Sequence, residues 1–456
     1  MVFRNFLQSI LSEHPINPCV RLLGGHLGYS VAESLEKRSI TPKLAELRRR
    51  YRLPFSERYR LAQQQLTDFV VFAGQSVPYY RDLFRELGIS ADKLRSDIRY
   101  LNDIPFLTKD IIREQGDRML SAPLAEVRHH ERKTGGSTGL SCMLYYDQEG
   151  LDYSAAVTSF ARQSIGKYRH RSELHFACRF PDAVPEKWPS REDFKCFAMN
   201  RSNIFFDRID DHGLEEIWQT LKHRRPYLVH GHPSTIYALA RYVERRYGTG
   251  KAFNVFESSG ELMEQYQRDT ISRVLECRVV DRYGLAELGV MAYEVEGAGK
   301  GLRVFESEGW PESIPVESGG VVVPELVFTG FRNRLMPLIR YRTGDLATVE
   351  RRETGFYLTN IVGRIHDLVP INGVDHATHH IQDMLDHRVG GIQEFQIDLR
   401  TTPPTLKIVP EHDASPENIR ARVEQFWGAG FNVKFCRHDD FVRVGRHAKF
   451  RHVVHP

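Results

Sequence analysis

A glycine- and hydroxyl-rich segment is the first stretch of this sequence with residues suited to chemistry. It reads Thr134, Gly135, Gly136, Ser137, Thr138, Gly139. Glycine tolerates positive φ and lets backbone N–H groups approach a polyphosphate, and hydroxyls add further donors. The order of residues is not that of a Walker loop, GxxxxGK[ST]. Two interpretations remain, a phosphate-binding loop and a plain turn.

A second segment follows a strand-like run and ends in a carboxylate. It comprises Asp281, Arg282, Tyr283, Gly284, Leu285, Ala286 and Glu287. Tyr283 offers a flat face to a nucleobase, and Gly284 lets the backbone come close to a ligand. Glu287 is suited to hold Mg²⁺ on phosphate oxygens. The competing interpretation is a strand-end turn with a solvated glutamate.

Three further charged residues lie in other parts of the chain. The carboxylate of Asp345 suits the vicinal hydroxyls of a ribose, and Arg364 adds a donor to ribose or phosphate. Lys449 carries a compact charge on a flexible stem, which suits neutralisation of α-phosphate and carboxylate oxygens in a transition state. Taken singly, each is more often a surface charge. Together with the two segments, they supply the parts for binding ATP and moving its α-phosphate onto a carboxylate.

Composition excludes several other classes of protein. The chain has 456 residues, 41% hydrophobic and 27% charged, with a formal net charge of +4. This balance lacks the basic patch of a dedicated nucleic-acid binder. No apolar run reaches the roughly 18 residues needed to cross a bilayer, so no integral membrane segment is expected. The six cysteines are scattered without a CxxC pair, which argues against zinc and disulfides and favours the cytoplasm; the twenty histidines are mostly isolated.

Alternating strand-like and helix-like runs place these residues in an α/β fold. Apolar runs at 173–178 and 227–230 are predicted strands, and a helix from Pro233 to Arg246 follows the second. Strands buried on both faces and alternating with helices are typical of a layered α/β domain. Upstream, a polar helix is predicted from Pro42 to Arg52, capped by Thr41.

The sequence predicts two domains of unequal size. A large N-terminal domain covers residues 1–361, helical over 1–100 and α/β over 101–361. A small α+β domain covers residues 362–456 and carries Lys449. A length above that of one average domain supports this division.

The order and separation of these segments resemble the adenylate-forming superfamily of acyl-CoA synthetases. Within it the chain is most similar to the phenylacetate–CoA ligase branch and its CapK relatives. Val77-Pro78-Tyr79-Tyr80-Arg81 and Ile104-Pro105-Phe106-Leu107-Thr108-Lys109-Asp110 match segments typical of that branch. The resemblance runs from about Val77 to Val454. It implies a large ATP- and acid-binding domain, a small mobile C-terminal domain, and ATP, Mg²⁺ and coenzyme A as cofactors.

The resemblance also implies individual roles on the nucleotide side. Residues 134–139 would form the phosphate loop, and Ser258-Ser259-Gly260-Glu261 the adenine-side loop. Tyr283 would stack on adenine, flanked by Arg282 and Gly284. Asp345 would bind the ribose.

Further implied roles concern the chemical steps. Glu287 would be the magnesium ligand, Arg364 would lie at the hinge, and Lys449 would be the adenylation lysine. The small domain would then rotate so that a thiol or amine attacks. The sequence departs from the superfamily pattern at three positions, Ala286, His366 and Ala448. These departures leave every charged catalytic group in place, so activity is expected.

The substrates are less defined by the sequence. His232 and Pro233, at the start of a predicted helix, are expected to line the acyl pocket. His232 suggests that the acid carries a polar or acidic substituent; the alternative is that it is a structural histidine.

The acceptor is either coenzyme A or an amine of an amino acid or sugar, the latter in surface-polysaccharide or natural-product biosynthesis. A non-catalytic nucleotide-binding scaffold is the third hypothesis. The relatives also make a homodimer possible.

Overall fold

The structure is a computed structural model. It describes residues 27–133, 142–178, 190–206, 210–295, 301–318, 321–362, 368–411, 413–437, 440–444, 449–450 and 452–455. The predicted phosphate loop at 134–139 and Arg364 lie outside the described residues. So do residues 1–26, which belong to the predicted helical stretch.

Helices and strands alternate along most of the described chain. The α-helices are α1 Tyr29–Leu35, α2 Ile40–Arg50, α3 Phe55–Ser76, α4 Pro78–Leu87, α5 Ala91–Ser96, α6 Lys109–Gln115, α7 Gln148–Ser164, α8 Arg191–Met199, α9 Asp211–Arg224, α10 Pro233–Tyr247, α11 Gln265–Val274, α12 Thr378–Met384 and α13 Pro416–Trp427. Short 3₁₀ segments lie at Ile98–Asp103, Gly116–Met119, Leu124–Glu126 and Gly428–Gly430, and a π-helical turn at Leu385–Val389.

The strands are numbered in the same way. They are β1 His129–Lys133, β2 Met143–Asp147, β3 Glu173–Cys178, β4 Arg201–Phe206, β5 Leu228–Gly231, β6 Val255–Ser258, β7 Arg278–Leu285, β8 Gly289–Tyr293, β9 Leu302–Val304, β10 Gly309–Ser318, β11 Val321–Gly330, β12 Tyr341–Arg352, β13 Gly355–Val362, β14 Leu368–Ile371, β15 Val374–Ala377, β16 Ile392–Asp398, β17 Thr405–Pro410, β18 Asn432–Phe435, β19 Arg443–Val444, β20 Lys449–Phe450 and β21 Val453–Val454.

The chain divides into two compact units. Unit one takes in residues 1–37, 166–281 and 364–456, and unit two takes in residues 38–165 and 282–363. Strand β7 begins in unit one and ends in unit two, since the division falls between Asp281 and Arg282.

Unit two combines helices with an antiparallel sheet. Its strands follow the order β10-β11-β12-β13-β9-β8, and the end of β7 pairs with β8. The helical part is closely packed: Leu66 and Val70 on α3 are fully buried, and a Cβ on Gly74 would lie 2.5 Å from the ring of Phe84 on α4. Only a residue without a side chain permits this approach of the two helices.

The first part of unit one is a parallel sheet, with α9, α10 and α11 packed on one face. Strands β4, β3, β5, β6 and the start of β7 are neighbours in that order, all parallel. Leu174, Val229 and Phe256 point to the face that packs against α9, α10 and α11, and they are fully buried. Short apolar strands joined by crossover helices form parallel sheets of this kind.

The C-terminal part of unit one has its own core. Strands β18, β17, β16 and β21 form a four-stranded sheet. Its buried apolar residues, among them Ile397, Leu406 and Val423, lie between positions 369 and 453. This part is the small α+β region that the sequence predicts beyond residue 361.

The α/β fold class is as predicted, with some element boundaries displaced. The helix predicted at Pro42–Arg52 instead runs from Ile40 to Arg50, and Ser39 is its N-cap. Thr41 is therefore inside the helix and does not cap it. Pro42 is the third helical residue, a position whose N–H has no intrahelical acceptor, so proline is tolerated there. Within the described residues, no helix is long and apolar enough to span a membrane.

Candidate functional site

The β7–β8 hairpin of unit two carries Tyr283 and Glu287. Strand β7 ends at Leu285, Glu287 lies in the turn, and β8 begins at Gly289. The pairing shifts register between Tyr283 and Gly284, which marks a bulge. A Cβ at Gly284 would lie 2.9 Å from the carbonyl oxygen of Gly289, so glycine is required where the two backbones meet.

A second bulge, in β12, positions Asp345. Gly344 has a φ of +76°, and the register between β11 and β12 shifts at this point. The Thr343 hydroxyl donates to the Leu326 carbonyl at 2.7 Å and accepts from the Asp345 N–H at 3.1 Å. Bulges of this kind redirect one side chain out of the ladder, and here the redirected residue is a carboxylate.

Tyr283 and Asp345 meet directly. The Tyr283 hydroxyl donates to Asp345 Oδ2 at 2.8 Å, and its ring stacks on Phe328 with centroids 6.5 Å apart. Burial, together with the neighbouring Asp345 carboxylate, holds the pKa of Tyr283 well above its usual value. The structure thus joins two of the predicted site residues by one hydrogen bond.

Glu287 is held by two residues that the sequence analysis did not assign. It is buried, with 6% of its surface exposed. The Tyr341 hydroxyl donates to Glu287 Oε1 at 2.9 Å, and Lys109 Nζ lies 3.4 Å from the same oxygen. Lys109 is itself 6% exposed, so the ion pair is shielded from water. We call Tyr283, Glu287, Asp345, Tyr341 and Lys109 the hairpin cluster.

The backbone around Leu107 brings Lys109 to this place. The Leu107 N–H donates to the Arg340 carbonyl, and the Leu107 carbonyl accepts from Arg342 N–H, each at 3.0 Å. Thr108 then caps α6, with its side chain accepting from the N–H of Ile111. The signal for Lys109 was present in the sequence, because the segment 104–110 already matched the phenylacetate–CoA ligase branch.

The donor set at Glu287 fits a magnesium ion bound jointly with phosphates. No group of three His, Cys, Asp or Glu side chains in the described ranges could hold a metal ion unaided. Mg²⁺ commonly takes one or two carboxylates, with waters and substrate phosphates completing its shell. Glu287 offers one such carboxylate, oriented by the Tyr341 hydroxyl.

Glu261, in the segment after β6, contacts the start of α10, where His232 and Pro233 lie. Glu261, with a side chain 2% exposed, accepts from the Ser234 N–H at 3.0 Å and from its hydroxyl at 2.9 Å. Pro233 is the first residue of α10, and His232 Nδ1 lies 3.5 Å from Glu261 Oε1. Gly260 has a φ of +84°, and a Cβ there would lie 2.5 Å from the His232 ring. Glu261 therefore anchors its loop to a helix start, and adenine binding there stays a prediction.

The remaining predicted residues are only partly described. Arg282 is half-buried in β7. The backbone of Lys449 pairs with Val444 in the β19–β20 hairpin, and its side chain lies outside what the structure describes.

Sequence and structure comparisons identify relatives of the chain. No family profile matches it. It is 23% identical to protein CapK of Staphylococcus aureus, over 68% of this chain and 69% of CapK. It is 25% identical to the phenylacetate–coenzyme A ligase of Escherichia coli, over 82% and 89% of the two chains.

One solved structure shares the fold at 21% identity. It is 2-hydroxyisobutyryl-CoA ligase in complex with 2-HIB-AMP and CoA in the thioesterification state, with a TM-score of 0.57 over 89% of this chain and 91% of that one. The α/β fold is that of an adenylate-forming ligase. The predicted resemblance to phenylacetate–CoA ligases and CapK is confirmed.

Proposed function

We propose that this chain is an ATP-dependent ligase that activates a carboxylic acid as acyl-AMP and transfers the acyl group to coenzyme A. The contact between Tyr283 and Asp345 carries the proposal. It joins the side chain expected to stack on adenine to the one expected to bind ribose. Glu287, the expected magnesium ligand, lies on the same hairpin as Tyr283.

The nucleotide would be held mainly by unit two. Tyr283 presents its ring to the base while its hydroxyl orients Asp345, whose carboxylate would accept both ribose hydroxyls. Arg282 and Gly284 flank the ring, and residues 134–139 would wrap the phosphates. The role of Ser259, Gly260 and Glu261 as the adenine-side loop stays a prediction.

In the first step, a carboxylate oxygen of the acid attacks the α-phosphorus of ATP and pyrophosphate leaves. Glu287 would hold Mg²⁺, which would neutralise charge on the phosphates when bound. Lys109 and Tyr341 orient the Glu287 carboxylate, because the Tyr341 hydroxyl donates to the same oxygen that Lys109 Nζ faces. Lys449 is proposed to offset negative charge on the α-phosphate and the attacking carboxylate, and most of the rate comes from such positioning.

The second step transfers the acyl group from the adenylate to coenzyme A, and it needs a different arrangement of residues around the adenylate. Residues 362–456 are proposed to act as a mobile lid, with Arg364 at its hinge. Their own hydrophobic core supports this, because a part with its own core can move as a body. Gly373, at the tip of the β14–β15 hairpin with a φ of +81°, is proposed to enter the site in the second pose.

A pyrophosphate-release assay tests the proposal directly. Incubation with MgATP and a panel of aryl, fatty, amino and sugar acids should release pyrophosphate with at least one acid. Coenzyme A should then consume the adenylate and release AMP. If none of the acids leads to pyrophosphate release, this result would contradict the proposal and favour a nucleotide-binding scaffold.

The same assay, run with and without coenzyme A, distinguishes coenzyme A from an amine as the acyl acceptor. An amide product formed from an added amino acid or amino sugar, without coenzyme A, would favour the amide ligase of the CapK type. We further propose a cytoplasmic location, from the scattered cysteines, and a homodimer, which light scattering would test.

A further inference from the structure

Tyr146, on β2, holds the turn that carries Glu287. Its hydroxyl donates to the carbonyl oxygen of Ala286, the residue before Glu287. Tyr146 is buried, and Cζ of Arg132 on β1 lies 5.3 Å from the centroid of its ring. All four residues belong to unit two, so these contacts lie within one compact unit.

The carbonyl that Tyr146 binds belongs to the central peptide of a tight turn. The Leu288 N–H donates to the Leu285 carbonyl at 3.3 Å, which closes a four-residue turn with Ala286 and Glu287 at its centre. In such a turn the orientation of the central peptide sets the backbone angles of both central residues. The hydrogen bond from Tyr146 therefore fixes the backbone from which the Glu287 side chain projects.

The two contacts to the Glu287 carboxylate both end on Oε1. The Tyr341 hydroxyl donates to this oxygen at 2.9 Å, and Lys109 Nζ lies 3.4 Å from it. No described residue donates a hydrogen bond to Oε2, yet Oε2 is not an unsatisfied buried atom, so solvent reaches it. Oε2 is therefore the carboxylate oxygen that is open to a ligand.

Tyr146 also belongs to the hairpin whose strands flank the predicted phosphate loop in the sequence. Residues 134–139 lie between β1 and β2, and Tyr146 is in register with His130 on β1. One hydroxyl thus connects this hairpin with the turn of the expected magnesium ligand. Those are the two parts of unit two that are proposed to contact the same phosphates.

The Tyr146 hydroxyl keeps its proton at neutral pH. Burial raises the pKa of Tyr146, and the Glu287 carboxylate adds to this rise against the opposing effect of Arg132. A carbonyl oxygen only accepts hydrogen bonds, so a protonated hydroxyl is the state that the contact with Ala286 requires.

We propose that Tyr146 is a positioning residue for the cation that accompanies ATP: its hydroxyl fixes the backbone of Glu287, Tyr341 fixes Oε1, and Oε2 is the oxygen that binds the cation. This inference rests on the proposed function. Mg²⁺ requires a nearly ideal octahedral arrangement of its ligands, so a displaced carboxylate oxygen weakens the site. Groups that hydrogen-bond around a metal ligand orient it without contacting the metal themselves.

Binding of ATP in the absence of any acid tests the proposal. The dissociation constant would be measured by isothermal titration calorimetry, once with Mg²⁺ and once with EDTA in its place. The ratio of the two constants reports the contribution of the cation. Tyr146→Phe keeps the ring and removes only the hydroxyl, so this ratio should fall by about tenfold, with little change in the constant measured in EDTA.

Tyr80→Phe is the matched control. The Tyr80 hydroxyl is also buried in unit two and also donates to a backbone carbonyl, that of Pro337, at 3.1 Å. Both variants should unfold at a lower temperature, because each loses a buried hydrogen bond, but only Tyr146→Phe should lower the ratio. A less stable Tyr146→Phe variant with an unchanged ratio would show that the hydroxyl is only structural, and would overturn the proposal.

Two further variants assign the effect to Glu287. Tyr341→Phe releases Oε1 and should also lower the ratio by about tenfold, so the test remains possible if Tyr146→Phe does not fold. An unchanged ratio in a folded Tyr341→Phe variant counts against the proposal. When Glu287 is replaced by Ala, adding Tyr146→Phe should not change the ratio further, since the two act as one unit. An undiminished effect of Tyr146→Phe in that background contradicts the proposal.

Failure of this inference is distinguishable from failure of the proposed function. Pyrophosphate release by the wild-type enzyme, together with an unchanged ratio in Tyr146→Phe, overturns the inference alone. If none of the acids leads to pyrophosphate release, the proposed function fails, whatever the effect of the variants on ATP binding.

Discussion

The hairpin cluster of unit two differs in construction from a row of polar side chains on the parallel sheet of unit one. This row, the histidine rung, consists of His175, His230 and Glu257, which are in register on β3, β5 and β6. Both contain buried polar side chains, and a buried lysine lies beside a glutamate in each unit, Lys109 beside Glu287 in unit two and Lys167 beside Glu173 in unit one. In the hairpin cluster the residues lie on turns and bulges, where Gly284 and Gly344 reshape the backbone. In the rung they lie on regular strands, and the register alone brings them together.

Only the hairpin cluster is proposed to hold the nucleotide. A nucleotide is the same in every reaction of the superfamily, and it needs a fixed arrangement of base, ribose and phosphate contacts. Substitutions in the hairpin cluster should therefore change ATP parameters for every acid, whereas substitutions in the rung should leave ATP parameters unchanged.

The largest effect expected is on stability, and it compares the two buried ion pairs directly. Lys109→Met and Lys167→Met each leave a buried carboxylate without its cation, Glu287 in unit two and Glu173 in unit one. We expect each to lower the free energy of unfolding by about 3–5 kcal/mol, measured by denaturant titration. Only Lys109→Met should also raise KM for ATP.

The control is a double variant. Lys109→Met combined with Glu287→Gln removes both charges and should recover much of the lost stability, without recovering activity. Lys93→Ala, at an exposed position of α5, should leave both quantities unchanged. An equal rise in KM for ATP in the Lys167→Met variant would break the proposed separation of the two regions.

The second prediction concerns a residue that should affect all acids alike. Lys449→Ala removes the charge proposed to act in the transition state, so adenylation should slow by about 100-fold or more. Thiolysis of a supplied acyl-adenylate should remain nearly intact. Lys434→Ala, exposed on β18, is the matched control. Adenylate formation at the normal rate by Lys449→Ala would show that the residue has another role.

The sequence predicted the hairpin cluster only in part. Tyr283 and Glu287 lie four positions apart in one short segment, so their types and spacing are readable together. Lys109 is distant in the chain, and only the pairing of Leu107 with Arg340 and Arg342 brings it to Glu287. Nothing in the local pattern specifies that pairing.

The rung was missed for a related reason. His175 and His230 appear in the sequence as isolated histidines inside apolar runs. Alternation along a strand shows which residues share a face, but it does not show which residue of the next strand lies beside them. A shift of one residue between β3 and β5 would have placed His230 on the apolar face. The fold class was predictable because strand–helix alternation is a local property, whereas this register is not.

A smaller effect is expected at the ribose contact. Asp345→Asn keeps the size of the side chain but removes its charge, which should weaken ATP binding by about 1.5–3 kcal/mol. This appears as a rise of KM for ATP by roughly tenfold or more, with little change in the preference among acids. Glu350→Gln on the same strand serves as the control, because its ion pair with Arg352 is partly exposed. A changed acid preference in Asp345→Asn would contradict the division between the two regions.

The smallest predicted effect isolates one hydrogen bond of the hairpin cluster. Tyr283→Phe keeps the ring that would stack on adenine and removes the hydroxyl that donates to Asp345. We expect KM for ATP to rise by a factor that corresponds to about 0.5–1.5 kcal/mol. Because burial and the Asp345 carboxylate hold the pKa of Tyr283 well above its usual value, the hydroxyl stays protonated and the ratio of variant to wild-type KM should be constant as pH rises through about 10. A ratio that falls towards one in that range would mean that the phenol ionises normally, and that Asp345 is positioned by its own bulge and not by Tyr283.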